Sequence, residues 1–172
     1  MQRNLIAFFL VLIAGTILGA VVPPRLLCQS VALTTEDLVQ RAEVIIIGKV
    51  TSMNPGWSRD RSRIITRVTI AVDQHIKGEE SENSVTVTIP GGEVDGIGEV
   101  YSHSARFKLD EQVVVFAAAD RQGQLQVVGG DVGKATVLRE EVTGRQLVSD
   151  NESLQMFTAK LKRIVQEQAA QH

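Results

Sequence analysis

Residues 44–50 read VIIIGKV, and residues 64–72 read IITRVTIAV. The first stretch is β-branched and almost continuously apolar, which is typical of a strand that is buried on both faces. In the second stretch, apolar residues at even positions largely alternate with more polar ones at odd positions, as in a strand with one wetter face. Asn54-Pro55-Gly56 lies between the two stretches and has the composition of a turn. These residues predict two strands joined by a hairpin.

More short strands follow, and turn residues separate them. Residues 85–89 alternate and stop at Pro90, whereas 113–118, 125–127 and 132–138 are further apolar segments. Strands of this length and spacing predict a mainly β fold, a small closed antiparallel barrel. We expect its core to hold Val44, Ile46, Val68, Ile70, Val87, Val114, Phe116 and Val127.

Two capping-box sequences predict two helices, one before and one after the strands of the barrel in chain order. Thr34-Thr35-Glu36-Asp37 precedes a short apolar stretch, which predicts a short N-terminal helix. Ser149-Asp150-Asn151-Glu152 precedes apolar residues at helical spacing, which predicts an amphipathic C-terminal helix over residues 150–170. Its apolar stripe is expected to pack on the outside of the barrel through Leu154, Phe157 and Leu161.

The N-terminus carries a segment with the features of export. Leu5 to Val22 contains no charged residue, and Pro23 ends the run. A small-x-small site follows at Ser30-Val31-Ala32. Residues 1–32 are therefore interpreted as a signal peptide, or alternatively as a membrane anchor formed by Leu5–Val22. Residues 33–172 are expected to form a single domain in the periplasm or outside the cell.

The composition excludes several classes of function. The chain has 18 basic and 20 acidic residues, a net charge of −2, and only 4% of its residues are aromatic. It therefore offers neither a basic field nor stacking platforms for nucleic acid, and we expect no nucleic-acid partner. A single cysteine can form neither an intramolecular disulfide nor a cysteine-based zinc site.

The residues that could carry catalysis lack the spacing that catalysis needs. Ser102, His103 and Ser104 are adjacent, and neighbours on an extended chain point to opposite faces. Asp73 and His75 have no metal-ligand partner at a recognised spacing. Gly133-Lys134 is followed by alanine instead of the hydroxyl residue of a phosphate-binding loop. We predict no catalytic residue, no metal site and no cofactor, and therefore not an enzyme.

Two segments are candidates for binding. Trp57, Arg59, Arg61 and Arg63 are expected at the tip of the first hairpin, where an aromatic ring and guanidinium groups can hold an acidic glycan, a lipid headgroup or a protein. Gly91 and Gly92 begin a glycine-rich segment that we expect to form a mobile loop, and loops of such barrels bind ligands.

Several stretches resemble the tissue-inhibitor-of-metalloproteinase and netrin-like modules, and also a group of uncharacterised exported bacterial proteins. They are Ala42–Val50, Thr66–Val72 leading to Ile76-Lys77-Gly78, Phe107–Glu111 with Val113–Phe116, and a loop at Pro90-Gly91-Gly92. The resemblance implies an oligonucleotide/oligosaccharide-binding (OB) type of barrel flanked by helices. The inhibitors act through a cysteine-x-cysteine start that has no counterpart here, so metalloproteinase inhibition is not implied.

Together these features predict an exported, non-enzymatic binding or interaction module of the cell envelope or exterior, with an unknown protein or an envelope glycan or lipid as partner. One alternative is a structural component of the envelope, held in the membrane by Leu5–Val22. The other is an enzyme whose site assembles only in three dimensions.

Export with cleavage predicts a mature chain that starts near Leu33 when the protein is recovered from its native host. N-terminal sequencing of that protein is the measurement. A chain that starts at Met1 in the membrane fraction would instead indicate the anchor, and a cytoplasmic chain that starts at Met1 would contradict export.

Overall fold

The computed structural model describes residues 33–79, 82–148 and 152–170. Two helices, nine strands and one short 3₁₀ helix occupy these ranges. In chain order they are α1 (Thr35–Arg41), β1 (Val44–Trp57), β2 (Ile64–Lys77), β3 (Ser84–Pro90), β4 (Gly92–Val94), β5 (Ile97–Glu99), β6 (Gln112–Ala119), β7 (Leu125–Val127), the 3₁₀ helix (Gly130–Gly133), β8 (Lys134–Arg139), β9 (Gln146–Leu147) and α2 (Leu154–Ala169).

Five of the strands close into a barrel. They follow the order β1-β2-β3-β7-β6, and β6 pairs with β1 to complete the ring. All pairs in the ring are antiparallel except β3 with β7, which are parallel and joined through the single pair Thr88 and Gln126. The predicted closed, mainly β barrel is confirmed, with two flanking helices and an OB-like strand order. The hairpin β4–β5 forms a small separate sheet.

Strand β1 is long and bent because it pairs with two neighbours. Its register with β2 shifts at three places, one of them between Ile47 and Gly48. A Cβ atom on Gly48 would lie 2.2 Å from the carbonyl oxygen of Ala71, so only glycine allows the two strands to approach this closely. The bulges and this glycine give β1 the curvature that closing a small barrel requires.

The turn predicted at Asn54-Pro55-Gly56 is wrong. These residues belong to β1 and pair with Arg67, Thr66 and Ile65 of β2. Strand β6 pairs with β1 only as far as Lys49, so Pro55 lies on a part of β1 with one unpaired edge. A proline is tolerated there because no neighbouring strand requires its missing N–H.

The buried apolar residues form two clusters, one inside the barrel and one between the barrel and the helices. The inner cluster includes Ile46, Val50, Val68, Ile70, Val85, Val87, Phe107, Val113, Val115 and Ala117. The outer cluster includes Leu38, Val39, Ile45, Ile47, Val114, Phe116, Leu154, Leu161 and Ile164. The predicted single core is therefore wrong for Val114 and Phe116, which lie outside the barrel beneath the helices.

The reason for this error is the composition of β6. Its residues from Val113 to Ala118 are all apolar, so the sequence does not mark which side chains face inward. Both faces of β6 are in fact covered, one by the barrel interior and the other by the helices. Val44 and Val127, also predicted to be core residues, are only half-buried.

The two helices start at side-chain caps. Thr34 and Asp37 form the predicted capping box at the start of α1. Helix α2 begins at Leu154 and not at residue 150, because Ser153 is its N-cap and accepts a hydrogen bond from the backbone N–H of Met156. The docking of α2 on the outside of the barrel is confirmed, since Leu154 and Leu161 are buried in the outer cluster and Phe157 packs against it.

In the described part of the chain, neither helix is long and apolar enough to cross a membrane. The predicted signal or anchor, Leu5–Val22, lies outside the described residues.

Replacement of Leu161, which is completely buried, by alanine is expected to lower the free energy of unfolding by about 2–5 kcal/mol. The matched control is Met156→Ala on the same helix, whose side chain is 65% exposed and whose loss should change stability by no more than about 0.5 kcal/mol. Urea unfolding monitored by circular dichroism measures both. Equal stabilities of the two variants would show that α2 does not stabilise the barrel.

Candidate binding groove at the hairpin tip

A groove of about 170 Å³ lies between the β1–β2 hairpin tip, residues 58–63, and the turn that connects β6 to β7. Its base is formed by β2, β3 and β7, where Ile65 pairs with Pro90 and Thr88 pairs with Gln126. The groove is lined by Ser58, Arg59, Asp60, Arg63, Ile65, Thr88, Pro90, Asp120, Gln122, Gln124 and Gln126. We call it the tip groove.

Asp60 organises the hairpin side of the tip groove. One of its carboxylate oxygens accepts hydrogen bonds from Ser58 Oγ at 2.6 Å and from the backbone N–H of Ser62 at 3.2 Å. The other accepts from Ser62 Oγ at 2.8 Å. The hydroxyl groups of Ser58 and Ser62, and then the N–H of Ser62, lower the pKa of Asp60 to about 2. The loop is therefore ordered by its own side chains.

Asp120 organises the opposite side in the same manner. Its Oδ1 atom accepts hydrogen bonds from the backbone N–H groups of Gln122 at 2.8 Å and Gln124 at 2.9 Å. Its Oδ2 atom accepts from the side-chain amide of Gln126 at 2.8 Å. The bond from Gln124 contributes most to a lowered pKa of Asp120, against the opposing effect of burial, and the charge of Arg59 also contributes.

These hydrogen bonds determine which polar groups of the lining remain free to bind a ligand. Both carboxylates are occupied within their own loops, whereas neither Arg59 nor Arg63 forms an ion pair among the described residues. Gln122 and Gln124 add amide groups that can donate and accept hydrogen bonds. The two arginines and the two ionised aspartates of the tip groove balance in charge, so what it offers a negatively charged group is the guanidinium donors of Arg59 and Arg63.

The structure separates the residues predicted at the hairpin tip. All three arginines are exposed, but Arg59 and Arg63 line the groove, whereas Arg61 lies at the tip in a left-handed conformation, with φ 56°, and does not line it. Trp57 is half-buried, pairs with Ile64 at the end of the hairpin and is not among the groove residues. The aromatic ring and the guanidinium groups thus do not form one surface.

Gly91 and Gly92 lie at the base of the β4–β5 hairpin, where a loop was expected. Both have positive φ angles, 96° and 136°. A Cβ atom on Gly92 would lie 2.6 Å from Thr66 Oγ1, and one on Gly91 would lie 2.7 Å from the carbonyl oxygen of Glu99. Both glycines also line a shallow groove of about 500 Å³ beside Tyr101. Their backbone shape and close packing explain why glycine stands at both positions.

The second wall of the tip groove was not predicted from the sequence. Nothing in the composition of the turn at Asp120 indicated that it faces the first hairpin. The parallel pairing of Thr88 with Gln126 brings the two segments together. The spacing of Gln124 and Gln126 was the available signal, since alternate residues of an extended segment share a face.

An ion pair inside the fold was also missed. Lys134 Nζ lies 2.5 Å from Glu111 Oε1, and their side chains are only 10% and 12% exposed. Burial would raise the pKa of Glu111, but hydrogen bonds from Lys134, Thr136 and the backbone N–H of Lys108 lower it overall. Each charge of the pair is thus neutralised within the protein.

The residues considered for catalysis stay apart. His103 Nδ1 lies 3.7 Å from Asp131 Oδ2 on the surface, and Ser104 Oγ donates a hydrogen bond to the carbonyl oxygen of Pro90. No group of three histidine, cysteine, aspartate or glutamate side chains suited to a metal ion occurs within the residues that the structure describes.

Comparison of the sequence with models of protein families and with curated proteins finds no match. The tip groove is therefore interpreted from its own residues.

Replacing Ser58 and Ser62 together by alanine is expected to raise the pKa of Asp60 from about 2 toward about 3.9, the value of an unperturbed aspartate. Because the pKa is lowered in the folded protein, the carboxylate orders the loop above the unperturbed pKa, and this effect is lost as the pH falls through about 2.

Carboxyl ¹³C shifts of Asp60 followed by NMR over the acid range measure this pKa. Ser102→Ala, which alters an exposed serine on another loop, serves as the control and should leave the titration of Asp60 unchanged. If the double variant and the wild type titrate together, the serines do not order this loop.

Proposed function

We propose that the chain is an exported, non-enzymatic binding module of the cell envelope or exterior and that its ligand is an acidic glycan held in the tip groove. The observation that carries the proposal is the position of Arg59 and Arg63 in a groove whose carboxylates are already hydrogen-bonded. A guanidinium group binds a carboxylate through two parallel hydrogen bonds, which suits the uronate group of an acidic sugar.

The remaining groups of the groove suit the hydroxyl groups of a sugar. Thr88, Gln122 and Gln124 each offer a donor and an acceptor, and a sugar hydroxyl needs both. Ile65 and Pro90 add apolar surface at the base, against which the C–H face of a sugar ring can pack. A polar groove with a small apolar base is typical of a site that holds a hydrated ligand by hydrogen bonds.

The position of the groove in the barrel also supports binding. OB barrels bind oligosaccharides and oligonucleotides on the face of their second and third strands, between the loop after the first strand and the loop before the last strand. The tip groove has β2 and β3 at its base and the corresponding two loops as its walls. This argument is one of fold analogy, and the chemistry of Arg59 and Arg63 makes it specific.

Binding is favoured over catalysis because of the protonation state of the two aspartates. A general acid or base works best when its pKa is near the working pH. The pKa of Asp60 is about 2, and that of Asp120 is also lowered, so both stay ionised and hydrogen-bonded at neutral pH. Loops ordered in this way lose little entropy when a ligand binds.

Export and the relation to netrin-like modules are part of the same proposal. Export rests on the uncharged run Leu5–Val22 and on the small residues at Ser30-Val31-Ala32. The relation rests on the resembling stretches, of which Ala42–Val50 is the first, and the closed barrel with flanking helices is compatible with it. An acidic glycan is a ligand that an exported protein would meet.

The proposal predicts that Arg59→Gln and Arg63→Gln each weaken the binding of oligogalacturonate about tenfold, because each removes a charge-assisted hydrogen bond. The loss should shrink in high salt, because Arg59 and Arg63 are exposed and salt weakens ion pairs between exposed charges. Isothermal titration calorimetry of the full chain at low and high salt measures both effects.

The chain provides matched controls for this experiment. Arg61→Gln removes an exposed charge from the same loop, and Trp57→Ala removes the aromatic ring, but neither residue lines the groove. Both variants should bind as the wild type does. The methyl ester of the same oligosaccharide should bind more weakly than the acid. Equal losses for Arg61→Gln and Arg63→Gln would show that only the net charge of the loop matters and would contradict a groove.

A further inference from the structure

A second cleft lies at the other end of β2. It has a volume of about 560 Å³, and strands β1, β2, β6 and β9 line it together with the N-terminal part of α2. Asp73, which lines this cleft, and Ile65 of the tip groove are roughly 25 Å apart along β2, at about 3.3 Å per residue. The two sites share no lining residue. We call this second site the glutamine cleft.

A chain of hydrogen bonds orients the central side chain of the glutamine cleft. Gln112 donates from Nε2 to Asp73 Oδ2 at 3.2 Å, and its Oε1 accepts from Gln146 Nε2 at 2.7 Å. The two neighbours thus fix which end of the Gln112 amide is the donor and which is the acceptor. Gln74 and Gln155 line the same cleft, so four side-chain amides contribute to its lining.

Opposite charges and an apolar base complete the glutamine cleft. Asp73 and Arg145 both line it, and neither forms an ion pair among the described residues. Ile47 and Leu154, 4% and 9% exposed, provide the apolar base. The first turn of α2 adds partial positive charge to that of Arg145.

We infer that the glutamine cleft binds a short peptide with its two termini charged. A peptide amide has one donor and one acceptor, which match the side-chain amides of Gln112 and Gln146. Its ammonium end would meet Asp73, and its carboxylate end would meet Arg145. The amides and the charges recognise the main chain of the peptide, so its side chains need only fit over the apolar base.

The inference predicts saturable binding of trialanine to the full chain. Backbone amide shifts of Asp73, Gln112 and Gln146 in ¹⁵N NMR spectra should change with millimolar trialanine, the affinity expected of so small a ligand. N-acetyl-trialanine amide keeps the two internal amides and replaces both charged termini by neutral amide groups, and it should bind at least about tenfold more weakly. Absence of saturable shifts, or equal binding of both peptides, would overturn the inference.

Variants locate the site. Asp73→Asn keeps an acceptor for Gln112 but removes the charge, and Arg145→Gln removes the opposite charge, so each should weaken trialanine binding about tenfold. The matched controls Asp95→Asn and Arg106→Gln alter exposed residues that do not line the cleft, and they should have no effect. An equal loss in the controls would overturn the inference. Arg59→Gln should leave trialanine binding unchanged, which separates this site from the tip groove.

Discussion

The requirement that β1 pair with two strands at once determines the shape of the barrel. Along its first half β1 lies between β2 and β6, which closes the ring, and beyond Lys49 it pairs with β2 alone. The close approach at Gly48 and the bulges give the strand its bend between these two halves. The first half therefore holds the core together, whereas the second half extends as a hairpin and carries Arg59 and Arg63 to the groove.

Local patterns in the sequence were sufficient where one physical effect dominated. The alternation in β2 and the capping box at Thr34 predicted elements that the structure contains. The pattern failed in β6, because a strand that is buried on both faces has no polar side to mark its orientation. It failed again at Pro55, where turn composition is also compatible with a strand that has an unpaired edge.

The candidate sites illustrate the same limit. Trp57 and the three arginines are neighbours in the chain and were expected to act together, but only Arg59 and Arg63 reach the groove. The other wall comes from the turn at Asp120, which lies far along the chain and is brought near by the closure of the barrel. Both candidate sites depend on such distant pairings, which no short sequence motif indicates.

The single residue pair that joins β3 to β7 has a consequence for how the barrel opens. A seam with so few backbone hydrogen bonds separates at a lower free energy than the long β1–β2 ladder, so its amide protons exchange with solvent through local opening. The two partners of that pair, Thr88 and Gln126, are also side by side at the base of the tip groove. A ligand bound there would span the seam and slow its opening. Ligand binding in the groove would therefore lower the hydrogen-exchange rates of the β7 amides.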